Sequence, residues 1–110
     1  MFVAVYEFTV KSDLAQRFRQ EWVKTTQGIY QEYGSLGSRL HTTNHLDVYI
    51  GYAQWPTREQ WASEKNNLTG AYFHAWQSMR ECIESVRVLH EMEVCDDYLQ
   101  TNTFVPDQDA

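Results

Sequence analysis

Clustered positive charge is missing from this chain. Its nine lysines and arginines never occur two in a row, and fifteen acids bring the formal net charge to −6. A phosphate backbone is gripped by several basic groups acting together, so nucleic acid is not an expected partner. Cysteine is scarce as well: Cys82 and Cys95 form no CxxC pair, which excludes a disulfide scaffold and suggests a reduced, cytoplasmic setting. No apolar run approaches the roughly 20 residues a membrane helix requires, so no membrane partner is expected. The opening segment reaches Glu7 without a basic n-region, unlike a secretory leader. Two prolines and five glycines in 110 residues rule out a low-complexity linker protein. Internal repeats are absent.

Aromatic residues are abundant. Four Trp, seven Tyr and five Phe make up 15 % of the chain, a load that lets a small domain bury a large area with few side chains. The length allows one domain, over 1–100, with a polar, proline-containing tail at 101–110 that is expected to fray.

Periodicity sets the element order. From Phe2 to Val10, residues Phe2, Ala4, Tyr6, Phe8 and Val10 alternate onto one face, while Val3 and Val5 make the other face apolar too. An antiparallel sheet with one wet face should alternate cleanly, so the second face calls for a cover. A helix is expected from Ser12 to Tyr33, with Ser12 as N-cap and Asp13 in the first turn. Leu14, Phe18, Trp22, Thr25, Ile29 and Tyr33 form its stripe. Gly28 weakens its last turns, and Gly34 ends it. Leu36–Thr43 and Asp47–Trp55 read as a hairpin, with Gly51 marking a bulge. Pro56 stops the second strand, and Thr57-Arg-Glu-Gln60 has the form of a capping box for a short helix. A further helical segment starts at Thr69-Gly70, with Tyr72, Trp76, Met79 and Ile83 at helical spacing. The last strand is expected from Ser85 to Val94, prolonged through Asp96–Leu99. The resulting β-α-β-β-α-β order is that of an α+β ferredoxin-like fold, an antiparallel sheet with helices on one face.

Within that order, the aromatic first strand, Gly34-Ser-Leu-Gly-Ser-Arg-Leu-His41 and Tyr52-Ala-Gln-Trp55-Pro-Thr-Arg-Glu-Gln-Trp61 resemble the antibiotic biosynthesis monooxygenase superfamily. The resemblance covers about Phe2 to Leu99. It implies a homodimer, two sheets pairing into a dimeric α/β barrel, which would cover the second apolar face. It also implies a monooxygenase that oxidises a small aromatic phenol or quinol with molecular oxygen and without metal, flavin or haem. Such chemistry needs an apolar cavity, a group to take or stabilise the phenol proton, and a donor for negative charge developing on oxygen.

Candidates for these roles follow from the resemblance. Trp55, Trp61, Tyr72 and Trp76 would wall the substrate site, or else serve simply as core. His74 would be the base, or a solvent-facing residue on the helix flank. Arg39 and His41, two apart on one strand and so on one face, would steady an anion, or lie at a dimer rim and hairpin edge. The family's haem-degrading branch uses an Asn in the first strand, and none occurs between Met1 and Lys11. A metal site is not expected. His41 and His45 lie on a strand and turn, alternation separates His90 from Glu91, Glu93 and Cys95, and acidic neighbours make Cys95 structural rather than reactive. A different class of function, a non-catalytic dimer that binds a small aromatic ligand, fits the lack of a convergent acid, base or nucleophile set.

Overall fold

A computed structural model describes residues 1–99. The elements are β1 (Phe2–Val10), α1 (Ala15–Tyr33), β2 (Gly37–Thr42), β3 (Val48–Trp55), α2 (Arg58–Ala62), α3 (Gly70–Glu81) and β4 (Ile83–Glu93). The four strands form one antiparallel sheet in the order β2-β3-β1-β4. This is the expected α+β ferredoxin-like arrangement, with each βαβ unit split by an intervening strand. The expected tail at 101–110 lies outside the described residues.

The β1–β3 register opposes Phe2 to Trp55, Ala4 to Ala53, Tyr6 to Gly51 and Phe8 to Tyr49. Cross-strand partners share a face, so all eight lie on the side that the helices cover. There Phe8, Val10 and Phe18 join Met79 and Cys82 in one core cluster, and Phe2, Ala4 and Trp55 form a second.

Gly51 is not a bulge. The β1–β3 ladder runs through it unbroken, and the irregularities lie between β1 and β4, at Val5/Tyr6 and Thr9/Val10. A Cβ at position 51 would sit 2.9 Å from Phe8 Cε2. The position is a close approach: the Phe8 ring occupies the space a side chain would need.

The first helix starts later than its Ser12 cap predicts. Asp13 takes a left-handed φ of 68°, and Leu14 N–H donates to the Lys11 carbonyl at 3.1 Å. The chain thus turns over Lys11–Leu14 before α1 can begin, with a conformation that Asp tolerates better than most residues. Leu14 stands at the N-cap without a side-chain bond. At the other end α1 continues regularly past Gly28 to Gly34, its left-handed C-cap. Gly28 has a packing reason: a Cβ there would lie 2.6 Å from Tyr72 Cγ, so its absence lets α3 seat an aromatic ring on the α1 backbone.

Only half of the expected capping box forms. Thr57 Oγ1 accepts from Gln60 N–H at 3.1 Å. The Gln60 side chain instead donates to the Tyr33 and Gly34 carbonyls at 3.0 and 3.2 Å, satisfying carbonyls that the end of α1 leaves unpaired. Thr69 likewise caps α3 by position only, since its hydroxyl and N–H both donate to the Glu32 carboxylate. Arg17 ties α1 to the end of α3 through Ser78 Oγ at 3.0 Å and Glu81. The last strand ends at Glu93, and Asp96–Leu99 do not prolong it. Cys95, expected to be structural, is exposed, whereas Cys82 is buried.

Candidate functional site

The helix-covered face contains a hollow. Gly51, Ala53 and Ala4 put small side chains at the middle of the sheet, where the α1 stripe crosses it. A cavity of about 180 Å³ opens there, walled by Tyr6, Phe8 and Trp55 from the sheet and by Trp22, Thr26 and Ile29 from α1. Ser38 of β2, Met79 of α3 and Val86 of β4 also line it.

Two of its residues, Tyr6 and Trp55, carry hydrogen-bond donors that are not spent. Trp61 Nε1–H donates to the Tyr6 hydroxyl at 2.6 Å, which leaves the Tyr6 proton unspent. Burial raises the Tyr6 pKa above its ordinary 10.0, the Trp61 bond acts against this, and Glu91 adds to it. The phenol is therefore a neutral O–H donor across the ordinary pH range. Trp55 is 4 % exposed, and its Nε1–H has no partner. A buried, unpaired N–H costs about 1–3 kcal/mol, and this is the one such side-chain group among the described residues. The Lys65 ammonium lies 5.1 Å from the centre of the Trp55 ring, held there by bonds to the Trp61 and Ser63 carbonyls at 2.8 Å each. A cation on its face draws electron density from the indole and strengthens the N–H as a donor. Burial lowers the Lys65 pKa. Thr25 adds nothing, because its hydroxyl donates to the Glu21 carbonyl at 2.8 Å.

No Asp, Glu, His, Lys or Arg lines this cavity. It contains no ionisable base, and the Tyr6 hydroxyl in its wall keeps an unused proton.

Of the seven residues expected to form the site, Trp55 alone lines the cavity. Trp61 reaches it through Tyr6 and packs on Phe2, ring centres 5.1 Å apart. Tyr72 is seated on Gly28 between the helices. Trp76 packs against Phe73 at 5.9 Å and lies under the Arg80 guanidinium. His74 is exposed, with its ring against Phe73. Arg39 and His41 oppose Tyr52 and Ile50, so their Cβ atoms lie on the face away from the helices. There His41 Nδ1 is 3.1 Å from the Ile50 carbonyl. A carbonyl only accepts, so Nδ1 carries the proton. Both residues border a second, outer groove between α1 and β2.

Tyr6, Trp22 and Ser38 are cavity residues that sequence reasoning did not single out. Two carried a signal: alternation puts Tyr6 on the apolar face, and Trp22 belongs to the α1 stripe. Nothing in the sequence marks Ser38. Among the described residues no group of three or more His, Cys, Asp and Glu could hold a metal, and no helix is long and apolar enough to cross a membrane.

The family model for antibiotic biosynthesis monooxygenases matches residues 1–79. Solved structures with the same fold include a Bordetella bronchiseptica protein assigned to these enzymes, 14 % identical with a TM-score of 0.71 over 86 % of this chain and 96 % of that one. A Nitrosomonas europaea protein of the same assignment is 17 % identical, with a TM-score of 0.62 over 81 % and 94 %. A variant of SnoaB, a cofactor-independent oxygenase from Streptomyces nogalater, is 13 % identical, with a TM-score of 0.63 over 90 % and 97 %. At these identities the likeness concerns the fold. No curated protein matches the chain in sequence.

Proposed function

The chain belongs to the antibiotic biosynthesis monooxygenase family, and from that premise we propose that it oxidises a small aromatic phenol or quinol with molecular oxygen, using no bound cofactor. The observation that carries the proposal is the cavity wall, where Tyr6 keeps an unspent O–H, the Trp55 N–H is buried without a partner, and no carboxylate is present.

The chemistry asks little else of the protein. The two donors stabilise the phenolate, which gives one electron to dioxygen. The resulting radicals combine at the ring carbon para to the oxygen. In a phenol, whose para carbon carries a hydrogen, the hydroperoxide so formed loses water to leave a quinone, so that phenol plus O₂ becomes quinone plus H₂O without an external reductant. In a quinol, whose para carbon carries a hydroxyl, hydrogen peroxide leaves instead, so that quinol plus O₂ becomes quinone plus H₂O₂. The apolar walls keep water from the radical pair. Proton loss follows the acidity of the substrate, lowered by the two donors, rather than a histidine.

We propose further that two copies pair through the sheet face opposite the helices, where half-buried Val5 and Ile50 and exposed Met92 lack a helical cover. Light scattering coupled to size exclusion should give twice the 13.0 kDa chain mass; a species at 13.0 kDa refutes the pairing.

Oxygen uptake tests the activity. Dithranol, menadiol and naphthol are supplied to the protein and to its Tyr6→Phe variant. Uptake above the uncatalysed rate, reduced in the variant, is expected. A protein that binds these compounds but leaves their oxidation unchanged supports the second reading, a ligand-holding dimer without turnover, which the missing base in the cavity favours.

A further inference from the structure

We propose that the outer groove between α1 and β2 is an anion-recognition vestibule, and that the ligand of this site is an aromatic carboxylate rather than a neutral phenol. The inference rests on the inner cavity being the ligand site.

The pairing of the six arginines points to the groove. Arg17 donates to Glu81 and Ser78, Arg58 to Glu91 at 2.7 Å, and Arg87 to Glu7 at 2.9 Å. Arg80 lies 4.8 Å from the centre of the Trp76 ring. The remaining two, Arg19 and Arg39, have no ion pair or side-chain hydrogen bond among the described residues. Both border the same groove, which no Asp or Glu lines. In a chain of net charge −6, two uncompensated guanidiniums beside one groove run against the overall balance. Arg39 is on an edge strand, so its long stem can carry the head around the strand into the groove. A guanidinium presents paired donors that match the two oxygens of a carboxylate.

Size and shared walls relate this groove to the inner cavity. About 180 Å³ is less than the ~300–1,000 Å³ usual for a ligand pocket, room for a small ring system but little more. The outer groove adds about 800 Å³, and Trp22 and Ser38 line both spaces. A ligand that passes between Trp22 and Ser38 would lay its rings under α1, with its phenol oxygen toward Tyr6, and leave its carboxylate outside Trp22 beside Arg19 and Arg39.

Binding of 6-hydroxy-2-naphthoic acid, whose hydroxyl and carboxylate lie at opposite ends, and of its neutral carboxamide, followed by Trp fluorescence and calorimetry, tests this without turnover. The acid should bind about tenfold tighter or more, the equivalent of one charge-assisted hydrogen bond. Added salt should erode that preference, and Arg19→Gln with Arg39→Gln should abolish it. Arg87→Gln, which lies outside the groove, should leave it intact. Equal binding of acid and amide, or a preference that survives both substitutions, overturns the vestibule and leaves the cavity reading standing. Failure of both compounds to bind overturns the two together.

Discussion

Replacing Trp55 by Phe separates a binding role from a packing role, because the two act on different observables. The substitution keeps an aromatic ring in the second core cluster and removes the indole N–H. In the free protein that N–H is buried and unpaired, so its removal relieves about 1–3 kcal/mol of lost hydration. Against this stand the smaller ring's lost packing, on the order of 1 kcal/mol for each missing methylene equivalent, and a weaker contact with Lys65, about 0.5–1 kcal/mol. The terms oppose one another: two lost ring carbons and the Lys65 contact cost roughly 2.5–3 kcal/mol against the roughly 1–3 kcal/mol relieved, so the urea midpoint should move by no more than the equivalent of ~2 kcal/mol. If the N–H instead serves the anionic oxygen of a bound phenolate, its loss acts on turnover, where removing one such donor lowers kcat about 100-fold or more. Urea denaturation and oxygen uptake on the same preparation read the two effects. A variant with unchanged kcat, or one destabilised by several kcal/mol with activity falling in proportion, refutes the assignment.

Gly28→Ala sets helix propensity, which favours alanine by about 1 kcal/mol, against a Cβ only 2.6–2.7 Å from Tyr72 Cγ and Cβ. The contact is close to the α3 backbone, so overpacking should win and net destabilisation of about 1–2 kcal/mol is expected by urea denaturation; a stabilised variant would show that α3 yields easily. Tyr6 has its pKa raised in the folded chain, mainly by burial, so the folded state holds its proton where the unfolded state has lost it. Its contribution is complete below pH 10.0 and declines as pH rises beyond that value. Lys65, with its pKa lowered by burial, acts in the opposite sense, so the comparison must be with Tyr6→Phe, whose stability should fall less steeply at alkaline pH. His74→Gln should leave kcat within about twofold, as for an exposed residue outside the site. The rate against pH should follow substrate ionisation; a limb near the ordinary imidazole value of about 6.5 that disappears in this variant would restore His74 as the base.

Local chemistry determined the element order. Alternation in β1 and β3, the α1 stripe and the stop at Pro56 each depend on neighbours a few residues away, and each produced its element within a few positions. The errors arose where a distant group competed. Ser12 lost its cap to a turn at Asp13, and Gln60 left its capping box for the carbonyls at the end of α1. Gly28 and Gly51 read locally as a weak helix turn and a bulge, but Tyr72 and Phe8 account for them.

The site depended on tertiary structure still more. Richness in aromatic residues was legible, but which rings converge is a matter of register and helix approach. Register puts Trp55 opposite Phe2 on the cavity side and turns Arg39 and His41 away. The seat at Gly28 commits Tyr72 to helix packing. A hydrogen bond across 55 positions makes Tyr6 a donor with its proton free. Which residues could form strands and helices, and which faces were apolar, was already legible in the chain, because those properties repeat every two or three to four residues. Only the folded chain decided which polar groups meet around one hollow, because that depends on contacts between segments whose separation along the chain carries no periodic signal.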